Sequence, residues 1–187
     1  DAPAERLGAA VRRFREQALG DNRLGRGIGL LHLHEGSEVQ PGKIFRRFGD
    51  FVIPIRREHI AGYYSRKPVW LMRRTKEMLD AVRKADDKVT DPKSDVPEQP
   101  EYAKNENRSI KPDVLVLVGI CSHLGCSPQG KAADAKAEMG ADWAGGFLCP
   151  CHGSKFDLAG RVYKGSPAPK NMEVPPHMYL SDGTILI

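Results

Sequence analysis

Long hydrophobic runs are missing from this chain. The two longest, Val114–Ile120 and Gly27–Leu33, fall far short of the ~18 apolar residues that cross a bilayer, so the chain as given reads as soluble. Aromatic residues make up only 7%, and no basic stripe interleaved with aromatics is present, which argues against nucleic acid as a partner. There is no internal repeat and no low-complexity tract. No C-x-x-C pair occurs, which argues against a thioredoxin-like redox role. A twin-arginine export signal is missing too, because Arg12-Arg13-Phe14 is followed by Arg15, Glu16 and Gln17 and not by an apolar region. The chain opens at Asp1, and the expectation is that an upstream segment, a secretory signal or an anchor, has been removed.

What is present is unevenly spread. Residues 1–91 carry 19 Lys and Arg against 13 Asp and Glu, whereas residues 92–187 carry 10 against 11, within a net charge of +5. The basic half reads as a solvated face. Its functional alternative is contact with anionic lipid headgroups or an acidic partner.

Ala4–Leu19 predicts an amphipathic helix, with Leu7, Ala10, Val11, Phe14 and Ala18 on one stripe, Pro3 before its start and Gly20 at its stop. Residues 20–42 read as a linker. Strand-like runs follow at Asp50–Ile55 and Lys67–Arg73, and a short helix at Thr75–Lys84. Asp91–Pro112 holds four prolines among charged residues and predicts a long extended loop. Val114–Ile120 predicts a buried strand, Lys131–Met139 an Ala-rich helical insert, and Met178–Leu180 with Thr184–Ile187 a hairpin about Ser181-Asp182-Gly183. These elements describe a mainly β chain with short helices. His32, His34, His59 and His177 read as surface or structural residues.

All four cysteines lie in two boxes, Cys121-Ser-His123-Leu-Gly-Cys126 and Cys149-Pro-Cys151-His152-Gly153-Ser154, together with two of the six histidines. Residues two apart on an extended segment face the same way, so Cys121 and His123 can converge on one centre. Cys149 and His152 can do so across a tight turn. Each box then keeps one spare cysteine, Cys126 and Cys151, placed to clamp the two loops together. A Cys2His2 set suits tetrahedral zinc, although zinc sites seldom interleave Cys and His in both boxes. A 2Fe–2S cluster accepts two thiolates on one iron and two imidazoles on the other. Two structural disulfides with incidental histidines are the remaining alternative.

The boxes CSHLGC and CPCHGSKFD, with KPVWLMRRT from Lys67 and NENRSIKPDVLVLVGI before Cys121, are similar to those of the Rieske iron–sulfur subunit of ubiquinol–cytochrome c oxidoreductase, the cytochrome bc complex, of the proteobacterial type. That resemblance implies an antiparallel β-sandwich base domain with a small rubredoxin-like cluster-binding subdomain at about 119–168, inside a Rieske domain of residues 43–187 that follows an N-terminal helix and linker at 1–42. It implies one 2Fe–2S cluster, held by Cys121 and Cys149 on the inner iron and by His123 and His152 on the outer iron, with Cys126 and Cys151 as the disulfide. Residues 165–169 (GSPAP) are similar to the family's proline loop. By resemblance His152 makes the hydrogen bond to quinol and accepts proton and electron, His123 is the second exposed ligand, and Leu124 is exposed at the tip.

Two neutral imidazoles in place of two thiolates raise the potential from ~−400 mV into a range that reaches ~+300 mV, and imidazole also couples reduction to protonation. Ser154 is placed to donate a hydrogen bond to the cluster. Phe156 stands where many relatives have a tyrosine that donates to a ligand sulfur, which implies a somewhat lower potential here. The implied partners are a cytochrome b subunit, a c-type cytochrome subunit and ubiquinol, in a membrane-associated, dimeric complex. The implied location is a bacterial inner membrane, with the head on the periplasmic side, an oxidising compartment that suits a disulfide. Two other readings are a Rieske subunit of another periplasmic oxidoreductase of the arsenite oxidase type, and a zinc-stabilised binding module without redox function.

Overall fold

The computed structural model describes residues 67–181 and 184–187, together with the backbone of three strands upstream of them. The helix expected at Ala4–Leu19 and the linker at 20–42 lie outside the described residues, apart from one short strand in the linker's span. In chain order the strands are β1 (Leu30–His32), β2 (Asp50–Val52), β3 (His59–Tyr64), β4 (Lys67–Arg73), β5 (Val114–Val118), β6 (Gln129–Lys131), β7 (Gly146–Leu148), β8 (Lys155–Phe156), β9 (Met178–Ser181) and β10 (Thr184–Leu186). Helix α1 spans Lys76–Lys84, and α2 is a single turn at Lys136–Met139. Among the described residues the fold is mainly antiparallel β with few helices, and no helix is long and apolar enough to cross a membrane.

The chain divides into two compact units. One comprises residues 1–56, 62–66 and 176–187 and holds a four-stranded sheet in the order β2-β1-β10-β9. In it β1 runs parallel to β2 and antiparallel to β10, and β9 and β10 form the expected hairpin. The other unit, residues 57–61 and 67–175, holds both cysteine boxes.

The core of this second unit is built on β5. Its five residues, VLVLV, are all buried because both faces of the strand are covered. Each such side chain contributes about 1.5–3 kcal/mol by leaving water. Antiparallel pairing with β4 sets Val69 opposite Val118 and Arg73 opposite Val114, within a sheet ordered β3-β4-β5. The strand stops before Gly119, where a β-carbon would lie 2.4 Å from the Trp70 indole. That close approach requires glycine and directs Gly119-Ile120 into the first box. Trp70 in turn stacks on Phe147 of β7, with ring centroids 5.3 Å apart.

Helix α1 begins at Thr75, whose hydroxyl accepts from the Met78 N–H, as the side chain of a good N-cap does. The insert expected to be helical from Lys131 is different. Gln129–Lys131 form β6 and pair with Gly146–Leu148, so the helix shrinks to Lys136–Met139. The alanines there favour a helix, but ladder bonds to β7 claim the first residue of the run and a turn at 133–135 precedes the helix.

Asp91–Pro112 contains no strand and one 3-10 turn, Glu101–Ala103. Buried arginines hold it in place. Arg108 is fully buried and donates to the carbonyls of Ala159, Gly160 and Met172 and to the Gln99 amide oxygen. Arg74 donates to the Pro112, Asn107 and Leu158 carbonyls and to the Ser109 hydroxyl. Arg161 donates through Nε to Asp157 at 2.8 Å, through Nη1 to Asp86 at 2.6 Å and through Nη2 to the Val82 carbonyl at 2.5 Å. Charge-assisted bonds of this kind offset the cost of burying the guanidinium groups. They tie helix α1 and the long loop to the turn at 157–161, which follows the second box.

Candidate metal centre

The two boxes fold as a matched pair of loops. In the first, the Cys121 N–H donates to the Cys126 carbonyl at 2.8 Å, and the Gly125 N–H donates back to the Cys121 carbonyl at 3.1 Å. In the second, the Cys149 N–H donates to the Ser154 carbonyl at 2.8 Å and the Gly153 N–H to the Cys149 carbonyl at 2.9 Å. Both glycines adopt left-handed backbone, with φ of 84° at Gly125 and 76° at Gly153. A side chain there would be strained even though space is open around each.

Each loop leaves strong framework behind it. The first hangs from the end of β5. The second is the connection between β7 and β8, in the small sheet β6-β7-β8. Phe156 of β8 pairs with Phe147 of β7 and is wholly buried beside the cysteines in the same apolar cluster. Gly146 is indispensable to this pairing, since a β-carbon on it would lie 2.1 Å from the Phe156 carbonyl oxygen.

Within this frame Cys126 and Cys151 form a disulfide, with Cα atoms 6.6 Å apart. Cys121 and Cys149 remain free thiols and are buried. His123 and His152 meet edge to face, with ring centroids 4.8 Å apart. His123 is half-buried and His152 is exposed. Next to them Leu124 is 71% exposed, the largest exposure among the described large apolar side chains. Ser154 is fully buried, and its hydroxyl accepts the Ala168 N–H at 3.0 Å.

The donor set fits a metal group. Burial pushes the Cys121 thiol up; the His123 backbone N–H opposes that, the neighbouring Cys149 thiol adds to it, and the Ser154 hydroxyl opposes it. Cys149 and Ser154 therefore each lie beside the Cys121 thiol. His123 Nδ1 is buried and has no hydrogen-bond partner. An orphaned buried imidazole nitrogen is unfavourable unless something binds it, and two free thiols stand nearby in the same pair of loops. A thiophilic metal group binds both kinds of donor. The sulfurs of Cys126, Cys149 and Cys151 also lie within 4.8 Å of one another. That trio is not a ligand set, because two of its members are bonded to each other.

The segment at 165–169 is fastened to both boxes. Besides the Ala168–Ser154 bond, the Ser122 hydroxyl donates to the Lys170 carbonyl at 2.5 Å, and the Ser166 hydroxyl accepts the Lys155 N–H at 3.1 Å. Sequence reasoning named residues 165–169 by resemblance but singled out neither Ser122 nor the bonds that Ser166 and Ala168 make. Their partners lie 11 to 48 residues away along the chain, and no local pattern marks such pairs.

Both boxes lie within a segment that matches a known domain family. Residues 93–176 match the model of the Rieske [2Fe-2S] domain. The ubiquinol–cytochrome c reductase iron–sulfur subunit of Allochromatium vinosum is 57% identical over 121 residues, which are 65% of this chain and 58% of that one. The subunit of the same name from Rhodospirillum rubrum is 42% identical over 123 residues, 65% of this chain and 58% of that one. The mitochondrial Rieske subunit of the cytochrome b-c1 complex of Candida albicans is 38% identical over 122 residues, 65% of this chain and 48% of that one. The chain thus spans about half to three-fifths of the length of these relatives.

Proposed function

We propose that residues 93–176, which match the Rieske [2Fe-2S] domain, hold one 2Fe–2S cluster and that the chain is the electron-transfer subunit of a quinol–cytochrome c reductase. The observation that carries this reading is the pair of free buried thiols beside two meeting imidazoles, locked by a disulfide, in a domain 57% identical to a subunit of that name.

Cys121 and Cys149 would hold the inner iron, and His123 and His152 the outer one. The bound cluster supplies one-electron redox chemistry at a potential raised by its two neutral imidazole ligands. The protein does the rest. His152 is exposed, so its ring can accept a hydrogen bond from a quinol hydroxyl and take the proton as the electron is transferred. His123, less exposed, is the second imidazole of the pair. The Ser154 hydroxyl donates toward sulfur, which favours the extra electron of the reduced state. Leu124 offers an apolar contact next to the histidines for a docking surface.

The partners in this reading are a cytochrome b subunit that presents ubiquinol and a c-type cytochrome subunit that receives the electron. The complex is dimeric in an inner membrane, with this domain on the periplasmic side, where a disulfide is stable. The full chain, purified and reduced, should give a rhombic EPR signal and should co-purify with b- and c-type haem. A colourless, EPR-silent protein that contains zinc would overturn the reading. A rhombic signal without associated haem would favour a Rieske subunit of another oxidoreductase.

A further inference from the structure

Cys149 is a buried free thiol, yet its sulfur lies within 4.8 Å of both sulfurs of the Cys126–Cys151 disulfide. Thiols so placed exchange with disulfides through direct attack on sulfur. We propose that Cys149 is an internal nucleophile toward this disulfide whenever it is not ligated, and that the cluster, by occupying Cys149, protects the clamp that encloses it. The inference rests on the assignment of Cys149 as a cluster ligand.

The step balances without an oxidant. Cys149 Sγ gives up its proton and bonds to Cys126 Sγ. The Cys126–Cys151 bond breaks, and Cys151 Sγ leaves with the electron pair and takes up a proton. One disulfide is consumed and one is formed.

The direction follows from exposure. Cys151 is exposed and Cys126 only partly so, so departure of the Cys151 sulfur places developing negative charge in water. Attack on Cys151 would instead close a tight ring across the single residue Pro150. Cys121 does not belong to the trio of neighbouring sulfurs. The product is therefore Cys126–Cys149, with Cys151 and Cys121 both free. This isomer has lost a cluster ligand and cannot be loaded. A chain that is oxidised before it receives iron and sulfide is thus diverted, so cluster insertion must precede or accompany closure of the Cys126–Cys151 bond.

The test is disulfide mapping of the full chain. The loaded protein is divided, iron is removed anaerobically from one portion with a chelator, and free thiols are alkylated at intervals before digestion and tandem mass spectrometry. The expected result is Cys126–Cys151 alone in the loaded portion. In the stripped portion Cys126–Cys149 should accumulate, with alkylated Cys151 and Cys121 and a constant one disulfide per chain. Persistence of Cys126–Cys151 as the sole linkage would overturn the proposal. So would comparable amounts of linkages through Cys121, which mark indiscriminate scrambling in an unfolded chain.

The variant Cys121→Ser, mapped as isolated without stripping, should show the same Cys126–Cys149 linkage. Cys149→Ser should retain Cys126–Cys151 throughout. If Cys149→Ser still shows the rhombic EPR signal, the ligand assignment itself has failed. If it loses the signal while the stripped wild-type chain shows no exchange, the ligand assignment stands and only the exchange proposal falls.

Discussion

Loops 121–126 and 149–154 share one backbone frame and differ in what they place on it. Each begins with a buried cysteine whose N–H reaches the carbonyl five residues on, and each turns on a left-handed glycine at the fifth position. The histidine sits third in the first loop and fourth in the second. This shift by one residue goes with opposite exposures, half-buried for His123 and open for His152. The sixth position holds the disulfide sulfur of Cys126 in one loop and the buried hydroxyl of Ser154 in the other. The same frame builds both loops, and the substitutions upon it give them different side chains at matching positions. One loop carries the half-buried histidine, while the other carries the exposed one and the buried hydroxyl beside Cys121.

The largest test of that equivalence is at the first position. Cys121→Ser and Cys149→Ser should each abolish the rhombic EPR signal and the iron content completely. Retention of iron in either would show that the loops are not equal partners. Next in size is the bond between them. Removing the disulfide by Cys126→Ser, Cys151→Ser or both should lower unfolding free energy by about 3.5 kcal/mol, the entropy of a closed loop of this length, and by the same amount in all three variants of the loaded protein. Denaturant titration measures it.

The glycines test the frame itself. Gly125→Ala and Gly153→Ala should each cost about 1–2 kcal/mol, since nothing crowds either site and only left-handed strain applies. Unequal costs would break the symmetry. Smallest is the tuning of potential. Ser154→Ala should lower the midpoint potential with the cluster still assembled, and Phe156→Tyr should raise it, both by voltammetry; no shift in either would remove the asserted role of sulfur-directed donors.

Much of this was legible in the residues. Strand β4, helix α1 and the buried VLVLV run carry periodicity or apolar continuity over five or more residues, enough to identify an element. The boxes were legible because ligand types crowd into six residues each. Strands β6, β7 and β8 were not, because two or three residues define no period and their pairing is set by the loops they join. Arg74, Arg108 and Arg161 look like surface charge in a sequence. Their burial rests on main-chain carbonyls and carboxylates supplied by distant segments. The shortened α2 shows the same physics in reverse: alanine's helical preference is worth only tenths of a kcal/mol per residue, which strand pairing outweighs.

The fastening of residues 165–170 to both boxes has a kinetic consequence. The loops are joined directly by the disulfide and indirectly through Ser122 to Lys170 and Ala168 to Ser154. Both connections restrain separation of the loops, so each slows escape of a bound group. Local opening of the hydrogen-bonded connection is the easier of the two, because it needs no reductant. Reduction of the disulfide leaves the hydrogen-bonded latch in place, so the residence time of the group should shorten by steps as each fastening is cut.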